Sequence, residues 1–270
     1  MQTIGKASLD KFSILRSKSL LRDLAYKADA CERSISVTPE MIEDRVLFFF
    51  DLLPERSQML ADLAKLLQVP DHLIRTWANA LPGADAIGLA LRTDGASVRL
   101  YTQYWDLLCA HLEAGLSDLP PLYLGFKALP DSLIRTDSYH VLPEAPRSLF
   151  WPRMHDMFSG LGLDEHLAQT AFAPLDADTC IWTETRSEKR KSWLATVRRA
   201  ELDRHNVATA LEPLQDTPAH QVADLARNHK LVHIASGEDT AKGQFATFYF
   251  ETSPNLALEA LAIASPSHDN

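Results

Sequence analysis

A closed barrel of ten antiparallel strands, ringed by helices and hollow at its centre, is the α/β fold this sequence predicts. Three observations lead there. Five times the 270-residue chain passes from a helical stretch to two short strands joined by a polar turn, a repeat that governs the architecture more than any local motif does. The strands come in consecutive pairs, so each pair reads as an antiparallel hairpin, and parallel crossovers, which alternate strand and helix singly, are not expected. Ten twisted strands in one sheet tend to curl and close. The chain is therefore expected to form one domain over residues 1–270.

Each element follows in order. Phe12, Leu15, Leu20, Leu21 and Leu24 recur at helical spacing and predict an N-terminal helix over about 9–27. The first strand pair is Cys31–Val37 and Arg45–Asp51, and the helical stretch Pro54–Ala80 leads to the second, Ala86–Arg92 and Ser97–Trp105. Thr93-Asp94-Gly95 joins that second pair, and Asp-Gly supplies the positive φ that a tight hairpin turn needs. A short helix Leu107–Leu116 precedes the strands Pro121–Leu129 and Leu133–Leu142. Pro146–Phe172 reads as mostly helical, then come Thr179–Thr185 and Ser192–Arg199. Arg204–Asn228 is helical with a break near Pro218, and Leu231–Gly237 with Gln244–Glu251 completes the series, leaving 254–270 as a peripheral or disordered tail.

Composition narrows the function. With 27 Lys+Arg against 36 Asp+Glu the net charge is -9, which argues against binding nucleic acid through bulk charge. Ten glycines are few, and the phosphate-loop, dinucleotide, zinc-protease and nucleophile-elbow signatures are absent. The three cysteines, Cys31, Cys109 and Cys180, are too far apart for a CxxC pair and fit a reducing compartment. The basic N-terminus lacks a continuous apolar run, so it is not read as a signal peptide, and the longest strand-like apolar run, Val46–Phe50, is far too short to cross a membrane. A cytoplasmic monomer is expected. The ten histidines are scattered, and no metal site made by the protein is assigned.

The alternation along the strands points inward. In Ser97–Trp105 it places Val98 and Leu100 on one face and Arg99, Tyr101 and Gln103 on the other. Asp137 and Tyr139 share a face in the next hairpin, as do Thr196 and Arg198 in the fourth and Thr247 and Tyr249 in the fifth. For any single strand such a face is simply the wet side of a sheet. Several strands presenting Arg and Tyr together suit a polyanion held by charge-assisted hydrogen bonds.

At Glu32-Arg33-Ser34 and Asp44-Arg45-Val46-Leu47-Phe48-Phe49-Phe50-Asp51 the chain resembles the cyanobactin-type peptide prenyltransferases, whose first hairpin carries a comparable E-x-S strand and an arginine-led apolar strand ending in Phe-Phe and an acid. The likeness continues faintly from Leu20 to Thr252, through Leu124-Gly125-Phe126 and Phe245–Ser253. That family belongs to the ABBA group, whose prenyltransferase (PT) barrels have ten antiparallel strands. The resemblance implies transfer of a dimethylallyl or longer prenyl group, from DMAPP or GPP, to a side chain of a ribosomally made peptide, with Mg2+ on the diphosphate. It implies that Glu32 is the acid beside the acceptor and Arg45 a diphosphate-binding arginine. By the same resemblance Arg99 and Arg198 fall where the family has basic residues, and Tyr139 and Tyr249 match tyrosines that shield the allyl group.

Those residue types fit the chemistry. Arginines would neutralise the departing pyrophosphate, the faces of Tyr101, Tyr139 and Tyr249 would stabilise an allylic cation, and Glu32 would take the acceptor's proton. Tyr101 and Gln103 depart from the family pattern, as do Trp182, Ala195 and His233. The expected acceptor and prenyl pocket comprises Ser34, Asp137, Trp182, Glu184, Thr196 and His233. If Glu184, Glu32 and Asp137 all line the lumen, they favour a cationic acceptor such as an arginine guanidinium over Tyr, Trp, Ser/Thr or His. Two other readings stand beside this one: a prenyltransferase for a free indole or phenol, and a non-catalytic peptide-binding barrel.

Overall fold

The computed structural model describes residues 17–129, 134–187, 190–240 and 242–263. Ten strands form a closed barrel in the order β1-β10-β9-β8-β7-β6-β5-β4-β3-β2, where β1 is Ala30–Val37, β2 Ile42–Asp51, β3 Ala86–Arg92, β4 Val98–Gln103, β5 Tyr123–Ala128, β6 Ile134–Val141, β7 Ile181–Ser187, β8 Arg190–Thr196, β9 Leu231–Asp239 and β10 Gly243–Glu251. Each strand thus neighbours its predecessor and successor, and β10 closes on β1. The expected ten-strand architecture is what the chain adopts. By contact density it divides into two compact units: Met1–Glu32, Asp44–Ser138 and Thr252–Asn270 make the first, Arg33–Glu43 and Tyr139–Glu251 the second.

In the first unit the helices are α1 (Lys18–Lys27), α2 (Pro54–Leu66), α3 (Asp71–Asn79), α4 (Trp105–Glu113) and, late in the chain, the helix Pro254–Ala260. The stretch expected as one helix over Pro54–Ala80 is two, because Gln68 adopts φ 61 and Pro70 begins the next segment. Leu60 and Leu63 of α2 and Leu73, Ile74 and Trp77 of α3 are buried against Phe48, Leu89 and Leu100 of the sheet. Burying each such side chain is worth about 1.5–3 kcal/mol, so alternate strand residues are committed to the helix side. Registers β2–β3, β3–β4 and β4–β5 then align the opposite face in rows: Leu47, Ala90, Arg99 and Lys127 in one, Phe49, Gly88, Tyr101 and Gly125 in the next. Gly95 at φ 77 closes the β3–β4 turn, as the Asp-Gly pair predicts. Trp105 opens α4 instead of ending β4.

The second unit carries α5 (Arg147–Gly160), α6 (Glu165–Ala171), α7 (Arg204–Leu211), a 3-10 turn Glu212–Asp216 and α8 (His220–Asn228), which makes Pro254–Ala260 α9. Gly162 at φ 69 separates α5 from α6 within the stretch expected to be mostly helical. Phe150 and Phe158 of α5 and Val222 and Ala226 of α8 pack with Trp182, Trp193, Ile234 and Phe248 of the sheet. Phe150, Trp182 and Trp193 stack in series with ring centroids 5.7 and 4.7 Å apart.

The expected peripheral tail is corrected in part. Ser253 caps α9 by accepting from the Leu256 amide, and Ala257 and Leu258 are fully buried in the first unit's core. Of the expected N-terminal helix over 9–27, the part before residue 17 lies outside the described residues, as do Leu133 of the sixth strand and 264–270.

Candidate active site

The first unit's barrel face is built around a buried ionic group. On β4, alternation that sends Val98 and Leu100 to the helices turns Arg99 and Tyr101 the other way. On β6 the same logic turns Arg135 and Asp137 together. Asp137 is wholly buried; its Oδ1 accepts from Arg135 Nε at 2.8 Å, and its Oδ2 lies 3.1 Å from Arg99 Nη2. Lys127, 8% exposed, stands directly across from Arg99 on β5. Arg99 Nη1 donates to the Tyr101 hydroxyl at 3.4 Å, with its guanidinium carbon 5.7 Å from the Tyr101 ring centre. Two guanidiniums thus hold one carboxylate, with Lys127 across from Arg99, on a wall shut off from bulk water, where each charge acts more strongly than on a surface.

Two glycines let aromatic rings lie flat on that wall. A Cβ on Gly125 would sit 3.1 Å from Tyr101 Cε1 and 3.3 Å from Arg99 Cδ, and one on Gly88 would sit 2.9 Å from Phe49 Cδ1. Phe49 and Tyr101 are tilted neighbours with centroids 6.3 Å apart. Arg45 lies four residues before Phe49 on β2, opposite Arg92, whose guanidinium pairs with Asp94 in the β3–β4 turn. Glu32 of β1 is 2% exposed. Its charge, after burial itself, helps push the Cys31 thiol up to about 12.

The second unit's barrel face is hydroxyl-rich. Ser34 is fully buried, and Thr247 Oγ1 donates to Ser36 Oγ at 2.9 Å. Registers β8–β9 and β9–β10 bring Thr196, His233 and Tyr249 into one row. His233 Nδ1 is 3.0 Å from Thr196 Oγ1, and its ring meets Tyr249 edge-on at 5.6 Å. Tyr139, 8% exposed, belongs to the same unit through β6.

Several expected positions are corrected. Trp182 faces the helices, stacked between Phe150 and Trp193, because a large apolar ring gains most under α5. Glu184, two residues on, shares that outer face and is paired with Arg153 of α5. Neither side chain lines the lumen. Arg198 lies in a turn beyond the end of β8 at Thr196, half-exposed and 3.7 Å from Glu251. The cationic-acceptor argument therefore loses Glu184, and Asp137 is already engaged by two guanidiniums. Lys127 and Arg135 went unnoticed in the sequence, although the alternation of Ile134–Val141 sets Arg135 beside Asp137.

Among the described residues no three His, Cys, Asp or Glu side chains converge as a metal seat. The groups that meet Asp137 are two guanidiniums, which repel a divalent cation, so the residues at this wall do not fit a protein-held Mg2+. A separate cavity of about 810 Å3 opens on the outer side of the second unit, among Met157, Leu161, Trp193, Leu214, Pro218 and Ala246. It is lined by none of the expected site residues. No helix among the described residues is long and apolar enough to cross a membrane.

No family model matches the chain, and no curated protein is similar to it in sequence. Solved structures do resemble it. 5-Dimethylallyltryptophan synthase from Streptomyces coelicolor is 14% identical with a TM-score of 0.51, over 90% of this chain and 91% of that one. 6-Dimethylallyltryptophan synthase from Micromonospora olivasterospora, in complex with DMASPP and Trp, is 15% identical with a TM-score of 0.52, over 90% and 86%. The chain has the ABBA barrel fold of these prenyltransferases.

Proposed function

We propose that the protein transfers a dimethylallyl or longer prenyl group from its diphosphate, DMAPP or GPP, to a side chain of a ribosomally made peptide. The observation that carries the donor half is the Arg99–Asp137–Arg135 group with Lys127 beside it. Buried cations of that density suit an anion of several charges and little else. When the allylic C–O bond breaks, its electron pair leaves with the pyrophosphate, and Arg99, Arg135, Lys127 and Arg45 oppose the charge that builds there. The flat faces of Tyr101 and Phe49 can lie against the allylic cation without attacking it, each contact worth about 0.5–2 kcal/mol. The acceptor's atom bonds the allylic carbon and gives up its proton to the buried Glu32. Magnesium, where present, arrives with the diphosphate, and no step above depends on it.

The peptide acceptor rests on the likeness of the first hairpin to the cyanobactin-type enzymes. A free tryptophan-like acceptor is the second reading, favoured by the synthases named above. With Glu184 on the outer face, a neutral aromatic side chain suits Glu32 better than a guanidinium does. One experiment tests all of this: incubation of the full chain with DMAPP or GPP and either L-tryptophan or peptides encoded beside its gene. A mass gain of one prenyl group on a peptide supports the proposal. A gain on tryptophan alone replaces it with the second reading, and no gain on any acceptor counts against both.

A further inference from the structure

A carboxylate is an unexpected guest on a wall that would hold an anion. Asp137 is fully buried, with its two oxygens directed at Arg135 Nε (2.8 Å) and Arg99 Nη2 (3.1 Å). The side chains of Arg99 and Arg135 are only 9% and 14% exposed. The oxygens of a diphosphate seek the same two guanidinium groups. Two guanidiniums held out of water need an anionic partner. When nothing is bound, Asp137 supplies one; when a diphosphate arrives, its charge stands close to the carboxylate's own and is repelled by it.

We propose that Asp137 is a resident counter-anion, which steadies Arg99 and Arg135 in the ligand-free protein and competes with diphosphate for their N–H groups. It thereby lowers the affinity for pyrophosphate and speeds its release. This rests on the reading that the first unit's wall binds a diphosphate, and it goes further in making one residue of that wall an opponent of binding. By linkage, neutralising Asp137 should take stability from the ligand-free protein and give it back as tighter anion binding.

The test uses the full chain, sodium pyrophosphate, calorimetry and thermal unfolding, on wild type, Asp137→Asn, Asp137→Ser and Arg99→Ala. The Asp137 variants should melt at lower temperature than wild type when ligand-free, bind pyrophosphate about tenfold more tightly, and gain more in Tm from it. Arg99→Ala should lose at least about tenfold in pyrophosphate affinity. If Arg99→Ala loses binding while both Asp137 variants bind no more tightly than wild type, the counter-anion idea is overturned and the diphosphate reading survives. If wild type does not bind pyrophosphate, or Arg99→Ala binds it as wild type does, the diphosphate reading falls and the inference with it. Asp137 variants that stay unfolded even with pyrophosphate present also overturn it, because the added anion should take the carboxylate's place.

Discussion

The two compact units are built from the same helix-and-hairpin repeat, yet their barrel faces differ in kind. The first unit sets Arg99 and Arg135 against Asp137, with Lys127 across from Arg99, Arg45 further along β2, and Phe49 and Tyr101 laid flat over glycines. The second presents Ser36, Thr185, Ser192, Thr196 and Thr247, with charge drawn to its hairpin end, where Lys242 pairs with buried Glu43. Short hydroxyls there satisfy one another: Ser36 with Thr247, and Ser192 with Thr185, each at 2.9 Å. Fixed charge is expensive to bury, whereas paired hydroxyls line a wall at little cost. The repeat therefore sets the architecture, and the inward residues set the character of each half's wall.

That contrast can be broken most directly by charge removal. Arg99→Ala should lower kcat/KM for the prenyl diphosphate by about 10²–10³-fold, while Thr196→Val in the second unit should change it by less than about tenfold. Equal losses in a transfer assay would abolish the division of labour. Glu32→Gln should slow transfer by roughly 10²-fold and leave pyrophosphate affinity unchanged. Full turnover by that variant would remove Glu32 from the mechanism.

Glycines sharpen the comparison in terms of stability. A Cβ at Gly237 on β9 would fall 2.5 Å from Ser192 Cα, backbone that cannot yield. Gly237→Ala should destabilise by about 1–3 kcal/mol in urea unfolding. At Gly125 the obstacle is the Tyr101 ring, which can swing aside. Gly125→Ala should therefore cost less stability and more donor affinity, and the reverse pattern would show that the ring is not part of the donor wall. Thr247→Val, which leaves Ser36 without its donor, should cost about 1 kcal/mol.

The smallest effect concerns thiols. Burial, aided by Glu32 at Cys31 and by Asp176 at Cys180, pushes both thiols up to about 12. The reactive thiolate is thus nearly absent up to about pH 9, and iodoacetamide at pH 8 should label only Cys109 in native protein and all three cysteines after unfolding. Prompt labelling of Cys31 would show that its strand opens readily.

Much of this was legible in the sequence for identifiable reasons. Paired strands joined by polar turns encode antiparallel neighbours, and Asp94-Gly95 encodes its turn directly. Arg99, Tyr101 and Asp137 were readable because the residues alternating with Arg99 and Tyr101, Val98 and Leu100, are plainly apolar. Ile181–Ser187 was harder: Trp182 and Glu184 alternate with Thr183 and Thr185, so hydropathy alone does not choose the face. Size does, since the indole fills space under α5 and threonines do not. Arg198 was misread because strand ends are set by tertiary pairing, which stops at Thr196. The buried ionic group itself required knowing which residues of β6 meet β4's arginine, and no local pattern contains that.

Closure of the barrel has a consequence for how the chain comes into being. β1 completes its pairing only with β10, and Ser36 meets its hydroxyl partner only in Thr247, more than two hundred residues later. During synthesis on the ribosome the first hairpin must wait, half-partnered, until β10 has emerged. Assembly is then dominated by contacts distant along the chain and should be slow. Once shut, the barrel leaves none of the ten described strands with a bare edge on which fibrils could nucleate.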